Sequence, residues 1–195
     1  TMVSSAPKGG VMVGFAKTAK IAALAPPKED RDIIKERRME YYRYMSDISG
    51  PAVAVIEDID YPDCIGAYWG EINTKVHKAF GLSGALTNGV VRDLGDLAED
   101  FPVVAGSIGP SHGFVHVREI DTKVSFFGIS ISPNDLIHAD LHGAVIIPKA
   151  VIDSLKDAIH KLFASEKLIL DPARRKDFNF DDFKRAWEDF EKSRT

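Results

Sequence analysis

Short apolar runs of strand type alternate along this chain with stretches in which apolar residues recur at helical spacing. Residues 11–21 mix apolar side chains with partial alternation and predict a strand ending before the Pro26-Pro27 break. From Asp30 to about Ser46 charges dominate one side while Ile34, Tyr41 and Met45 recur near helical spacing, which predicts a surface helix. Residues 51–56 read as a short buried strand, and residues 57–63 as an acidic loop behind it. Trp69, Ile72, Val76, Ala79 and Phe80 fall at intervals of three, four, three and one, predicting a helix over about 67–80 with these five on one stripe. Gly81 then fits a helix C-terminus, residues 83–87 a compact strand, and Asn88-Gly89 a turn.

Strand signals dominate the second half. Residues 101–105, 115–117, 124–131, 136–139 and 144–147 are short apolar runs separated by Gly, Pro and Asn-Asp punctuation. Residues 150–164 carry Ile152, Leu155, Ile159, Leu162 and Phe163 at helical spacing and are expected to cover the sheet. A last helix over about 181–192 sets Phe183, Trp187 and Phe190 on one side.

A chain of 195 residues with 45% hydrophobic content supports one substantial core, so one domain over 11–170 is expected, followed by a helical extension over 171–195. Residues 1–10 are small, polar and without periodicity, and are expected to be a disordered or vector-derived tail. Net charge of -4 offers no general attraction to nucleic acid or anionic lipid. No run approaches the roughly 20 apolar residues that span a bilayer. The single cysteine, Cys64, has no internal disulfide partner, which suits a reducing interior, so a cytoplasmic location is expected.

The stretch that carries chemistry is Gly84-Ala-Leu-Thr-Asn-Gly-Val-Val-Arg-Asp93, where an apolar run ends in a Gly-bearing turn and delivers adjacent Arg and Asp. A guanidinium presents parallel N–H donors to a carboxylate, and a carboxylate holds a hard cation. Glu71, separated from Arg92 by twenty residues, sits near a helix start, where the free N–H groups of Ile72 and Asn73 can bind an anion. Together they predict a pocket for a small metal-bound oxoacid. The plainer alternatives are a surface ion pair for Arg92-Asp93 and a dipole-favoured acid for Glu71.

His138, Asp140 and His142 alternate as strand residues do, but the nearby Gly143 turn favours a structural role over a metal site. His112 and His116 flank a loop able to approach the pocket without an assignable role, and His77 and His160 read as structural or exposed. Cys64 has no neighbour that would activate it.

The order of these signals resembles the RraA-like family, which includes 4-hydroxy-4-methyl-2-oxoglutarate aldolases and regulators of a ribonuclease. The resemblance is carried by Gly14-Phe-Ala-Lys-Thr18, Trp69-Gly-Glu71, residues 84–93, Phe101-Pro-Val103, and the run from Ser132-Pro-Asn-Asp-Leu-Ile-His-Ala-Asp140 to Pro148. It implies an α/β fold, a swivelling β/β/α domain with layered sheets flanked by helices, assembled as homotrimers or hexamers with active sites at subunit interfaces. Aldolases of the family resemble one another in an acid, twenty intervening residues, then Arg-Asp, whereas the non-catalytic regulators have Gly at the acid position; here the acid is Glu71. The resemblance therefore implies a lyase using Mg2+ or Mn2+, cleaving a 4-hydroxy-2-oxo acid to pyruvate and decarboxylating oxaloacetate, with a non-catalytic regulator as the alternative. It implies Asp93 as the direct metal ligand, Glu71 as a ligand through water or a proton relay, and Arg92 as the group that orients substrate and stabilises the enolate. The helix turn at Ile72 and Asn73 would hold the substrate carboxylate, and Glu166 would be lent by a neighbouring subunit. A methyltransferase is set aside, because no Gly-rich strand-to-helix nucleoside loop is present. The sequence departs from the family in its short N-terminus and in Pro133-Asn-Asp135, where Pro-Gly-Asp is usual; Asn tolerates the left-handed turn this needs.

Overall fold

The computed structural model describes residues 2–5 and 10–194. Residues 1 and 6–9 of the expected tail lie outside the described residues, but Val3–Ser4 forms a strand, β1. The chain divides into two compact units, Thr1–Ile147 and Pro148–Thr195.

The first unit is built on one large sheet. β2 (Met12–Ala22), β3 (Ala52–Asp58), β5 (Leu82–Thr87) and β7 (Val103–Ala105) run parallel and adjacent. Antiparallel strands extend it: β1 on β7, β9 (His116–Ile120) and β12 (Leu136–Asp140) on β2, and β13 (Gly143–Ile147) on β12. Between these lie α1 (Arg31–Ser46), β4 (Ala67–Trp69), α2 (Glu71–Ala79), β6 (Val90–Val91), β8 (Ser107–Ile108), and the hairpin of β10 (Val124–Phe126) and β11 (Ile129–Ile131). β4, β6 and β8 form a separate three-stranded parallel sheet.

β3 shows why its run lacks alternation: Ala52, Ala54 and Ile56 join one core cluster, with Tyr41, Met45 and Trp69, while Val53 and Val55 join another, with Met12, Leu86 and Ile137. A strand covered on both faces has no solvent side to mark with polar residues. The sequence placed an acidic loop from residue 57, yet β3 continues through Asp58, which is fully buried. Asn88 holds it there, accepting from the Asp58 N–H at 2.7 Å and donating to its C=O at 2.9 Å. Residues 124–131, read as one strand, fold into a hairpin because Phe127 and Gly128 both take left-handed angles (φ 51° and 80°), which suits a two-residue turn. Asn134 takes the left-handed conformation expected of it (φ 66°).

The predicted 67–80 helix is corrected more deeply. Residues 67–69 are strand, paired in parallel with β6 (Ala67 with Val90, Trp69 with Val91), and the helix begins only at Glu71. Its buried side chains are Thr74 and His77, while Ile72 is 68% exposed. Counting Trp69 as helical set the wrong phase; once it belongs to a strand, the stripe through Ile72 loses its anchor. The polar inner face is satisfied by hydrogen bonds: Thr74 Oγ1 donates to the Gly70 C=O (2.9 Å) and accepts from the Ala98 N–H (3.0 Å), and His77 Nε2 meets the Tyr41 hydroxyl at 2.7 Å.

The second unit consists of a short 3-10 turn (Lys149–Val151), α3 (Ile152–Ala173) and α4 (Phe180–Arg194). α3 runs well past the expected stop near 164 and across the 170/171 boundary drawn from sequence. Its Ile159, Leu162 and Phe163 are exposed. Asn179 caps α4, its Oδ1 accepting from the N–H groups of Asp181 and Asp182 at 3.0 and 3.2 Å. Among the described residues no helix is long and apolar enough to cross a membrane.

Candidate active site

The small parallel sheet positions the candidate residues. β4 leads through Gly70 into α2, and β6, its neighbour, leads into Arg92-Asp93, so a helix N-terminus and a charged pair emerge at the carboxyl ends of adjacent parallel strands. That end of a parallel sheet is where ligands commonly bind. The Arg92 N–H donates to the Trp69 C=O at 2.8 Å, which ties the two exits together.

Asp93 then turns the chain with a left-handed backbone, φ 55°, a conformation Asp tolerates better than most residues. Its Oδ2 accepts from the Glu71 N–H at 3.2 Å and stands 3.0 Å from an Arg92 guanidinium nitrogen. Asp93 thus caps α2 from another segment, a role that the N-cap residue Gly70 has no side chain to play. A Cβ on Gly70 would lie 2.6 Å from Asp93 Oδ2 and 3.0 Å from Arg92 Cγ, so the pair fits only over a glycine. Arg92 Nε is buried without a hydrogen-bond partner. The first α2 ladder bond runs from the Thr74 N–H to the Gly70 C=O at 3.0 Å, which leaves the Ile72 and Asn73 N–H groups free of the ladder.

Arg92, Ile72 and Asn73 line one cleft of about 500 Å3. Tyr42, Tyr68, His112, Phe114 and His116 also line it. Asn73 is immobilised, its Nδ2 donating to the Tyr68 C=O at 2.6 Å and its Oδ1 accepting from the Tyr42 hydroxyl at 2.8 Å. Behind it His77 stays neutral: burial pushes its pKa down to about 4, partly opposed by the Asn73 C=O 2.6 Å from Nδ1. A second groove of about 840 Å3 runs along residues 26–38 and does not include Arg92.

The sequence-named residues divide. Arg92, Asp93, Ile72, Asn73 and the backbone of Glu71 come together, whereas the Glu71 carboxylate is engaged by Lys75 one turn along α2. Glu166 lies on α3, in the second unit. His112 and His116 do reach the cleft wall; His116 is buried, with Nδ1 2.8 Å from the Phe114 C=O. His142 is exposed and its N–H and ring bond Asp140, and no metal-holding cluster of three or more His, Cys, Asp or Glu occurs among the described residues. The Cys64 thiol is pushed up to about 12, by burial first and by Asp58 second. Sequence reading missed Arg38, Tyr42, Tyr68 and Phe114 as cleft residues. The available signal was the spacing of Ile34, Arg38 and Tyr42, four apart on α1 and all on the cleft.

A family model described as RraA-like, Aldolase/RraA, matches residues 2–146. A protein of Halalkalibacterium halodurans, provisionally named a 4-hydroxy-4-methyl-2-oxoglutarate aldolase, is 27% identical over 107 residues, 54% of this chain and 51% of that protein. The chain spans about half or less of the length of the curated relatives it matches. Among solved structures, an uncharacterized protein from Pseudomonas syringae pv. tomato superposes with a TM-score of 0.70 at 21% identity, covering 96% of this chain and 79% of that one. Streptomyces coelicolor RraAS2, titled an unusual member of the RNase ES inhibitor RraA protein family, superposes at 0.63 with 20% identity, over 82% of this chain and 76% of that one.

Proposed function

This chain belongs to the RraA-like family, and we propose that within it the chain acts as a divalent-metal-dependent lyase on a 4-hydroxy-2-oxo acid. The observation that carries this reading is that Arg92 shares one cleft with Ile72 and Asn73 of the first turn of α2, while Asp93 stands directly behind, 3.0 Å from the Arg92 guanidinium and 3.2 Å from the Glu71 N–H. The products are pyruvate and a carbonyl compound, and oxaloacetate would lose carbon dioxide through the same pyruvate enolate.

The residues fit a hard, largely hydrated cation. Asp93 offers one partly exposed carboxylate, bonded by the Glu71 N–H, and no dehydrated cage of acids occurs among the described residues. Mg2+ and Mn2+ accept such a site, completing their shells with water. When bound by Asp93 directly and by Glu71 through water, the ion supplies Lewis-acid stabilisation of the charge that develops on the 2-oxo oxygen.

The chain's own groups do the rest. The N–H groups of Ile72 and Asn73, at the positive end of α2, take the substrate carboxylate. Arg92 orients the oxo acid with the exposed N–H donors of its guanidinium, and its fixed charge opposes the anion that forms as the bond breaks. Glu71, exchanging Lys75 for a water at the cleft rim, relays the proton. In the same reading a neighbouring copy in a trimer or hexamer lends Glu166.

The test is pyruvate release from oxaloacetate and from 4-hydroxy-4-methyl-2-oxoglutarate with Mg2+ or Mn2+, read through a lactate dehydrogenase couple. Arg92→Ala should lower the rate by roughly 100 to 1000-fold while the protein stays folded. A folded Arg92→Ala variant with unchanged activity would reject the assignment. One observation favours the alternative of a non-catalytic regulator, the pairing of the Glu71 carboxylate with Lys75. Metal-independent absence of pyruvate from the wild-type protein would select it.

A further inference from the structure

The cleft beside Arg92 has a lopsided charge. No Asp or Glu lines it, whereas Arg38, Arg92, His112 and His116 do, in a protein whose net charge is -4. Arg92 spends part of its charge on Asp93, 3.0 Å away. Arg38 spends none: it makes no hydrogen bond or ion pair to any described residue. Its neighbour Arg37 shows the contrast, bonding Glu29 at 3.1 Å and the Val117 C=O at 3.2 Å.

The helix offers Arg38 no local acid. The residues three and four positions away on α1 are Ile34, Lys35, Tyr41 and Tyr42, so the i,i+4 pairing that normally occupies an exposed helical Arg is missing. Glu29, Asp30 and Asp32 border the second groove that Arg38 also lines, and none of them bonds it; Glu29 is taken by Arg37 and Arg118. Ile34, Arg38 and Tyr42 share one face, and that face borders the cleft.

We propose that Arg38 determines specificity by pairing with a second carboxylate on the substrate, so that the cleft selects dianionic over monoanionic oxoacids. This takes the oxoacid site of the preceding section as given. One end of the ligand then meets Arg92 and the α2 N-terminus, and the other meets the Arg38 guanidinium, which lines the same cleft with no competing partner. Charge-assisted pairing of this kind discriminates by roughly 10 to 100-fold in affinity.

The experiment compares binding of 2-oxoglutarate and 2-oxopentanoate, which share a five-carbon chain and differ in the terminal carboxylate, by titration calorimetry with Mg2+ present. Wild-type protein should prefer 2-oxoglutarate by roughly 10-fold or more. Arg38→Gln should erase the preference by weakening 2-oxoglutarate alone, leaving 2-oxopentanoate unchanged, and Arg38→Lys should restore part of it. Equal binding by the wild type, a preference that survives Arg38→Gln, or binding of neither ligand overturns the proposal. Oxaloacetate decarboxylation is measured on the same samples. Activity without the preference sinks only the role of Arg38; the preference without activity sinks only the lyase reading.

Discussion

Asp58 and Asp93 both follow parallel strands, the first as the last residue of β3 and the second two residues beyond β6, yet their surroundings have made different groups of them. Asp58 is sealed in the core, and burial raises its carboxyl pKa above the ordinary value, opposed by the Asp60 N–H that donates to Oδ1 at 3.0 Å. Asp93 keeps 31% of its side chain exposed, faces the Arg92 guanidinium, and caps a helix N-terminus. A carboxyl buried without a countercharge in a low dielectric tends to keep its proton, whereas Asp93 has a guanidinium, a helix N-terminus and solvent beside it. Position at a strand end is therefore not enough to make an acid useful. What differs is which charges and how much water the fold puts next to it.

The same substitution at the two sites breaks the comparison most sharply. Asp93→Asn should reduce metal-dependent pyruvate release by roughly 100 to 1000-fold with little change in melting temperature, since it removes ligand charge and keeps shape. Comparable rates in Asp93→Asn and wild type would erase the functional distinction between the two acids. Next in size is Gly70→Ala, whose Cβ would fall 2.6 Å from Asp93 Oδ2. Displacing the pair by a fraction of an ångström should cost roughly 10 to 100-fold in rate, more than it costs in stability. Steady-state kinetics beside thermal unfolding of this variant measures both.

Asp58→Asn should leave the rate within about twofold and act instead on the pH dependence of stability. With the folded carboxyl pKa above the unfolded one of about 3.8, the folded chain holds a proton that the unfolded chain releases. The contribution of Asp58 is then full below pH 4 and is lost as pH rises through the folded value. The amide has no proton to lose, so melting temperatures taken across pH 4 to 7 should decline less steeply in Asp58→Asn than in wild type. A parallel pair of curves would show that Asp58 is ionised in the fold. The smallest effect belongs to Lys75→Ala. Its exposed pair with Glu71 contributes about 0.3–0.5 kcal/mol, which a denaturant titration resolves only barely.

The candidate site was legible where it depended on residue type and chain order. Arg92-Asp93 after an apolar run, an acid upstream, and a helix turn between them are all visible in the string, and the structure brings their backbone together. The direction of the Glu71 side chain was not, because its choice between Lys75 and the cleft depends on the phase of α2. That phase was misread by counting Trp69 as helical, although the residue belongs to a strand whose partner, β6, lies some twenty positions later. Periodicity reports local spacing and is blind to such pairing. Arg38, Tyr42 and Tyr68 escaped for a related reason: they reach the cleft from other elements, and no local pattern distinguishes a side chain facing a cleft from one facing water or core.

Sequence alone determined the α/β class, the buried character of β3 and the turn at Asn134, since each follows from the chemistry of a few neighbouring side chains. Tertiary structure decided the rest: that Asp58 is a core residue, that Gly70 must lack a side chain to admit Arg92 and Asp93, and that Arg38 stands unpaired beside an acid-free cleft. Those are properties of distances between segments far apart in the chain, and only long-range packing sets them.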